Sequence, residues 1–369
     1  MKKFLVPTFV FGSLLAAQAQ FSAGNLVVLQ DGDGSAALTS AGTALFLDQY
    51  TTLGTFVNSL AIPTIGATAL VNSGTAGSEG ALNRSANGQY LVFAGYNASA
   101  GTASIASTTA AAAPRGVATV DAGGNYLLAA TSSSAFSGNN IRSGASDGSG
   151  NLWAAGAGGG INYLGTGTAA AISGTVLNSR VVQDVGGNLF YSTGSGTSPT
   201  GRGIYETSGA PVSGSTPTNQ LISTGTQFGA GSSPYDFAFN ANMTIAYVAD
   251  SNPYTNSTTV GGVEKWSFNG SAWVYNYSLS LGTNGAVGLA VNFSGSNPVI
   301  YATSANGASL FAITDTNATA TGTLLASAAA NEAFRGLDFS PVATPEPSTL
   351  ALGGLGLAAI GFFRRNRKA

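Results

Sequence analysis

The chain has 369 residues, of which 8% are charged, whereas an ordinary soluble domain carries about 25%. It contains no cysteine and no histidine, which excludes disulfides, thiolate nucleophiles, imidazole bases and metal sites built on either residue. A net charge of -2 and 9% aromatic residues argue against charge-driven disorder, and also against a nucleic-acid partner, which requires clustered Lys and Arg. From this composition we expect no cofactor and no enzyme.

The first residues have the pattern of a secretory signal. Lys2 and Lys3 give a positive start, residues 4–17 are mostly apolar, and Ala17 and Ala19 form a small-x-small cleavage pattern. A membrane anchor needs about 20 apolar residues, which this stretch lacks. We therefore assign residues 1–19 to a signal peptide and residues 20–341 to an exported domain.

The exported domain repeats one unit, in which a short apolar run and a Gly/Asn turn lead into a stronger β-branched or aromatic run. The pattern predicts five inner hairpins, over residues 81–94, 141–155, 180–191, 235–250 and 287–303. Outer hairpins are predicted over residues 117–128, 263–277 and 310–325. Helical periodicity is not sustained anywhere, so we predict an all-β fold.

A sixth unit is predicted from two distant parts of the chain. Residues 334–339 form a lone inner strand, and residues 25–29, 44–47 and 56–60 supply three more strands. The spacing fits the roughly 40 to 50 residues of a propeller blade. We predict a β-propeller of six blades, or seven if residues 117–128 form an inner hairpin, with a Gly/Ser/Thr-rich β-helix or a pair of β-sandwiches as alternatives. Pairing of residues 334–339 with 25–29 would close the ring.

Few of the acidic residues form sequence patterns typical of a metal-binding or catalytic site. Asp31-Gly32-Asp33 resembles half of a calcium loop but lacks its downstream glutamate, so a turn is the better interpretation. Glycoside hydrolysis needs two carboxylates about 5 to 10 Å apart, and the candidates are dispersed: Glu79, Glu206, Glu264 and Glu332. Glu206 is predicted in a Gly-rich loop, and Glu264 beside Lys265 on a solvated strand. We expect the tryptophans in the core, with sugar stacking as the alternative: Trp153, Trp266 and Trp273.

Arginine residues of the exported domain form the candidate binding site. Four of the seven cations of residues 20–344 fall in predicted inner strands: Arg84, Arg142, Arg180 and Arg335. Each is followed within a few residues by a polar or acidic residue, namely Asn87, Asp147, Asp184 or Asp338. Because inner strands of successive blades are neighbours, we predict an arginine rim around the channel. The arginines would either pair with these downstream residues or bind an anionic group, such as a carboxylate of an acidic exopolysaccharide.

The carboxyl-terminal residues follow a three-part order. Pro345-Glu346-Pro347 precedes an uncharged stretch, residues 349–363, and then a basic cluster of Arg364, Arg365, Arg367 and Lys368. Fifteen helical residues rise about 22 Å, short of the roughly 30 Å hydrocarbon core, so spanning requires thinning or snorkelling. We assign residues 342–348 to a linker, 349–363 to a transmembrane helix and 364–369 to a basic tail that stays cytoplasmic.

This tail resembles the PEP-CTERM sorting signal of bacterial envelope proteins, in its tripeptide Pro345, Glu346 and Pro347, its Gly/Leu-rich helix and its basic cluster. The resemblance implies recognition by a membrane-embedded exosortase, tail removal, and passage from the inner membrane to the cell surface or extracellular matrix. We therefore expect a secreted, surface-sorted structural or binding protein. The alternative is a propeller hydrolase or lyase that acts on polysaccharide with carboxylates around the channel.

Overall fold

The computed structural model describes residues 21–165, 169–173, 176–194, 201–214, 218–254 and 261–343. The predicted signal peptide (1–19), transmembrane helix (349–363) and basic tail (364–369) lie outside these residues, as does most of the linker (342–348). Among the described residues, no helix has both the length and the apolar character needed to cross a membrane.

Six antiparallel sheets of four strands form the described fold. From the innermost strand outward, blade 1 contains β26 (Ala333–Phe339), β1 (Leu26–Asp31), β3 (Leu45–Tyr50) and β4 (Phe56–Ala61). Blade 2 contains β6 (Leu82–Arg84), β7 (Tyr90–Tyr96), β8 (Arg115–Asp121) and β9 (Tyr126–Ser132). Blade 3 contains β10 (Ile141–Ser146), β11 (Leu152–Gly156), β12 (Gly160–Tyr163) and β13 (Ala170–Ala171).

The remaining three blades follow the same order along the chain. Blade 4 contains β14 (Ser179–Val185), β15 (Asn188–Thr193), β16 (Gly203–Thr207) and β17 (Thr218–Ile222). Blade 5 contains β18 (Pro234–Phe239), β19 (Ile245–Asp250), β20 (Gly262–Phe268) and β21 (Trp273–Leu279). Blade 6 contains β22 (Ala286–Asn292), β23 (Val299–Ser304), β24 (Ser309–Thr314) and β25 (Thr323–Ser327). The six-bladed propeller is confirmed, and residues 117–128 form an outer hairpin of blade 2.

Three short elements lie in the connections. The strands β2 (Gly42–Thr43) and β5 (Asn72–Ser73) pair with each other. The helix α1 (Thr224–Phe228) begins at Ser223, whose hydroxyl accepts a hydrogen bond from the Thr226 amide, which is the usual role of an N-cap serine. Single 3-10 turns occur at Ile105–Ser107 and Gly229–Gly231.

The two ends of the described chain meet in blade 1. β26 pairs antiparallel with β1, so that Leu26 lies opposite Phe339 and Val28 opposite Leu337. The Ser340 amide extends this contact by donating to the Asn25 carbonyl at 2.8 Å. The predicted pairing of residues 334–339 with 25–29 is confirmed, and it completes blade 1.

Adjacent blades pack through buried apolar side chains. At the junction of blades 6 and 1, Tyr301 and Leu310 contact a cluster that includes Leu26, Phe334 and Leu337. Strands near the axis are buried on both faces, as in β1, whereas the outermost strand of the same blade, β4, alternates between exposed and half-buried residues. The core therefore lies between the blades, and the hydrophobic effect favours their assembly at about 25 cal/mol per Å² of buried apolar surface.

The innermost strands run side by side in one direction and are joined by hydrogen bonds between blades. Asp236 of blade 5 accepts from the Leu289 amide of blade 6 at 2.9 Å, and Asp338 of blade 1 accepts from the Arg84 amide of blade 2 at 2.7 Å. We call the side of the ring where these strands begin the start face, and the opposite side the end face.

Gly336 lies where the innermost strands of blades 1 and 2 approach most tightly. A Cβ atom there would lie 2.1 Å from the Leu82 amide nitrogen. Because backbone cannot move aside as a flexible side chain does, we expect Gly336→Ala to lower the free energy of unfolding by about 3 kcal/mol, measured by urea titration. The control is Gly231→Ala, since no atom lies within 4 Å of the added Cβ; equal stability of both variants would contradict the close approach.

Candidate functional site

All seven Lys and Arg residues of the exported domain lie in the described residues. Four of them contact a carboxylate or backbone carbonyls, or lie beside a carboxylate. Arg335 is buried and donates from Nε to Asp31 Oδ2 at 2.6 Å. Lys265 forms an ion pair with Asp315 at 2.7 Å. Arg115 is fully buried and donates to backbone carbonyls, including that of Ala113 at 2.7 Å. Arg84 lies on the end face beside Asp338. Burial raises the pKa of Asp338, and the Arg84 charge lowers it by a smaller amount.

The other three arginines, Arg142, Arg180 and Arg202, gather on the start face between blades 3 and 5; we call them the arginine cluster. Arg142 and Arg180 are the second residues of β10 and β14, and Arg202 immediately precedes β16. Since innermost strands begin at the same face, and β16 begins beside the end of β15 on that face, the topology places the three side chains together.

The cluster arginines bind neutral oxygen atoms. Arg142 Nη1 donates to Asn178 Oδ1 at 2.5 Å and to the Ser179 carbonyl at 3.0 Å. Arg180 Nη1 donates to Ser233 Oγ at 2.8 Å. Arg202 Nη1 donates to the Ser232 carbonyl. One terminal nitrogen of each guanidinium is thus used, and the second, Nη2, makes no hydrogen bond with the described residues.

Among the residues that the structure describes, no carboxylate forms an ion pair with the arginine cluster. The ion pairs within the described ranges are Arg335–Asp31 and Lys265–Asp315. Burial lowers the pKa of Arg180, the Tyr235 hydroxyl and the Asp250 charge raise it, and the charges of Arg142 and Arg202 lower it further. An arginine stays protonated in proteins, so the cluster concentrates positive charge. The Arg180 guanidinium group packs over the Tyr235 ring, with 4.0 Å between its central carbon and the ring centroid.

The predicted rim of four arginines is divided between the two faces. Arg142 and Arg180 lie together, Arg335 is held by Asp31, and Arg84 is on the opposite face because it is the last residue of β6. The downstream acids do not pair as the spacing suggests. Asp147 accepts from Ser149 and Asn151, and Asp184 accepts from the Gly187 amide.

Arg202 was missed by sequence reasoning, which also missed the outer strands of blade 4. Its flanking glycines, Gly201 and Gly203, looked like a loop. The prediction that Glu206 lies in a loop is wrong for the same reason, since Glu206 is in β16 and accepts a hydrogen bond from Asn188 at 2.9 Å. The adjacent β-branched and aromatic residues Ile204 and Tyr205 were the available signal.

The prediction that Glu264 is solvated is also wrong. Its side chain is fully buried and accepts from Trp266 Nε1 at 3.0 Å. Burial raises the pKa of Glu264 well above its usual value, and the nearby Asp250 charge raises it further. Adjacent residues of a strand point to opposite faces, so only Lys265 reaches the solvent side. Among the tryptophans, Trp153 and Trp266 are buried and Trp273 is half-buried against Phe239.

Acidic residues also meet near the axis on the end face. A cleft of about 310 Å³ is lined by Asp184, Asp338 and Gln183, with Asp236 bound to Gln183 at 2.9 Å. Burial raises the pKa of Asp338 to about 6. Backbone amides hold both oxygens of Asp338, at 2.7 Å from Arg84 and 2.6 Å from Phe339, so this carboxylate joins blades.

Glu79 helps close the channel at the start face. It lies on the connection between β5 and β6, beside a space of about 10 Å³, which is about the volume of one water. Its carboxylate accepts hydrogen bonds from the Tyr96 hydroxyl at 2.6 Å, the Asn140 amide at 2.5 Å and the Ser73 backbone at 2.8 Å. Burial nevertheless raises the pKa of Glu79 to about 7. The described residues contain no group of three His, Cys, Asp or Glu side chains placed to hold a metal ion.

The raised pKa values of Glu79 and Asp338 predict a fold that is more stable in mild acid. Each group binds its proton more tightly in the folded state than in the unfolded chain, so each lowers the free energy of unfolding as pH rises from its usual pKa toward the raised one. For Glu79 this window is about pH 4.5 to 7, and the loss approaches about 3 kcal/mol. Urea titrations should give higher stability at pH 5 than at pH 8. Glu79→Gln should shrink the difference; stability that rises with pH would contradict the assignment.

The sheets define a six-bladed β-propeller, and three neighbouring arginines lie on its start face. The PEP-CTERM protein-sorting motif matches residues 343–368. The chain therefore carries this sorting motif, which includes the predicted tripeptide Pro345, Glu346 and Pro347. The motif is typical of exported proteins that are anchored and then processed. The comparison with curated proteins gives no match.

Several solved structures are similar in fold. The periplasmic gluconolactonase of Pseudomonas aeruginosa is 13% identical with a TM-score of 0.45, over 80% of this chain and 82% of that chain. The GH74 enzyme of Niastella koreensis is 15% identical with a TM-score of 0.46, over 83% of this chain and 46% of that chain. The hydrazine synthase of Kuenenia stuttgartiensis is 12% identical with a TM-score of 0.43, over 83% and 80%. At these identities the likeness concerns the fold alone.

Proposed function

We propose that this propeller is a surface-sorted binding protein, without enzymatic activity, that holds an acidic polysaccharide at the arginine cluster. The observation that carries the proposal is the set of three neighbouring guanidinium groups, Arg142, Arg180 and Arg202, which bond only neutral atoms of the described chain. Carboxylates are the natural partners of such groups, since arginine binds them through charge-assisted, often bidentate hydrogen bonds.

The geometry suits a polymer better than a small anion. The three cluster arginines are half-buried at the start face, and the Glu79 segment lines a space of only about 10 Å³ beside the innermost strands, so a ligand would lie across the start face. Successive uronate carboxylates of one chain could engage successive arginines, and linked contacts raise the overall affinity through effective concentration. A sorting signal for the cell surface would deliver the protein to such polymers in the extracellular matrix.

The second candidate is a polysaccharide hydrolase or lyase that uses the carboxylates of the end face. The observation that favours it is Asp338, whose pKa near 6 is suited to proton transfer around neutral pH. Against it, both oxygens of Asp338 and those of Asp236 already accept bonds from backbone amides. Release of reducing ends or unsaturated products from alginate would favour this enzyme over the binding protein.

The arginine cluster is tested with Arg142→Ala/Arg180→Ala. We expect the double variant to bind sodium alginate about 100-fold more weakly, since each charge-assisted hydrogen bond contributes about 1.5 to 3 kcal/mol. Isothermal titration calorimetry would give the affinities. Binding by the unsubstituted protein should also weaken about tenfold between 50 and 300 mM NaCl, because salt screens the charges.

The matched control for this variant is Arg84→Ala, which removes the same charge from the end face. Its alginate affinity should equal that of the unsubstituted protein. Retained alginate binding by the double variant, with an unchanged melting temperature, would refute the start-face site. An equal loss of affinity in the Arg84→Ala control would show that the effect follows from net charge alone.

The sorting motif is tested separately by replacing Pro345, Glu346 and Pro347 with Ala. If an exosortase reads this extended tripeptide, the full-length protein should accumulate in the membrane fraction. Fractionation and intact mass of the protein would show this. Replacement of Pro341, which lies before the matched residues, serves as the control. Unchanged delivery and mass in the triple variant would contradict processing at the motif.

A further inference from the structure

A polar cleft of about 590 Å³ opens on the end face between blades 5 and 6. One wall is the turn that follows β18, with Asn240 and Asn242, and the opposite wall is the turn after β22, with Asn297. Lys265, Tyr277 and Asp315 form its floor. The arginine cluster lies at the other end of blade 5, since Arg180 contacts Ser233 and Pro234 at the beginning of β18. The two sites are therefore independent.

The floor of this cleft is a fixed and electrically balanced network. Asp315 has no exposed side-chain surface, and it accepts from Lys265 Nζ at 2.7 Å, from the Tyr277 hydroxyl at 2.7 Å and from the Tyr247 hydroxyl. Lys265 Nζ also donates to the Tyr277 hydroxyl at 3.1 Å. Two of the three Nζ protons are thereby used, and 20% of the Lys265 side chain is exposed. One charged donor is free to bind a ligand, although the net charge of the pair is zero.

The walls add two other kinds of contact. Asn242 and Asn297 are exposed, and an amide group both donates and accepts hydrogen bonds. Phe293 and Tyr277 are half-buried rings along the cleft. A neutral floor with amides and aromatic rings matches a sugar ring, which has hydroxyls at its edge and apolar C–H groups on its faces.

We propose that this cleft binds a neutral hexose unit of a polysaccharide. A sugar hydroxyl would accept from Lys265 Nζ, the amides would bind neighbouring hydroxyls, and the C–H face would pack on an aromatic ring. The Asp315 carboxylate disfavours a second anion in the same place. Catalysis by Asp315 is disfavoured, because its buried carboxylate already accepts hydrogen bonds from Lys265, Tyr277 and Tyr247.

The experiment measures binding of dextran, laminarin and galactomannan by affinity electrophoresis. We expect retardation by at least one of these neutral polymers, unchanged between 50 and 500 mM NaCl because no net charge is involved. The double variant Asn242→Ala/Asn297→Ala should weaken that binding about tenfold, and Lys265→Met should abolish it. Since Lys265→Met leaves Asp315 without its cation, the asparagine variant, whose substitutions are at exposed positions, keeps the test valid if the lysine variant fails to fold.

Two controls separate this site from the arginine cluster. Asn276→Ala changes an exposed residue next to Tyr277 outside the cleft and should bind as before. Arg142→Ala/Arg180→Ala should also keep its affinity for the neutral polymer. Absence of retardation by all three polymers, or full binding by a folded Asn242→Ala/Asn297→Ala protein, would overturn the proposal whatever the outcome with alginate.

Discussion

The pairing of β26 with β1 is the interaction on which the rest of the structure depends. It joins segments from opposite ends of the described chain in one sheet. Because this shared sheet is blade 1, it connects the last blade of the chain to the first and closes the ring. Closure fixes all six innermost strands side by side and in one direction. Within this ring Arg142, Arg180 and Arg202 are neighbours, because each is placed by where its strand begins.

The sequence was informative wherever a strand carries its own signal. β-branched and aromatic runs around Gly/Asn turns predicted the inner hairpins, because both strands of a hairpin are encoded within a short segment. The outer strands β12 and β13 were not predicted. They contain mainly Gly, Ala and Asn, which have low β propensity, and they form strands only because β11 offers an edge to pair with.

The sites were less predictable than the fold, because they depend on which blades meet. The sequence indicated Arg142 and Arg180 but could not separate them from Arg84, whose inner strand is only three residues long and ends at the other face. Glu264 looked solvated because the next residue on its strand, Lys265, is charged, yet a propeller strand can be covered on both sides by neighbouring blades. The cleft floored by Lys265 and Asp315 joins residues of two blades, and their separation in sequence gives no local signal.

The position of the closing strand has a consequence for how an exported chain folds. β26 ends at Phe339 and the matched motif begins at residue 343, so among the described strands the one that completes the ring is synthesised last, just ahead of the sorting motif. Until then β1 presents an unpaired edge, and such edges invite association with other copies. Contacts this far apart along a chain also form slowly. Retention of the chain at its sorting motif would keep each molecule apart from its neighbours while β26 finds β1, and it would thereby protect the unfinished fold.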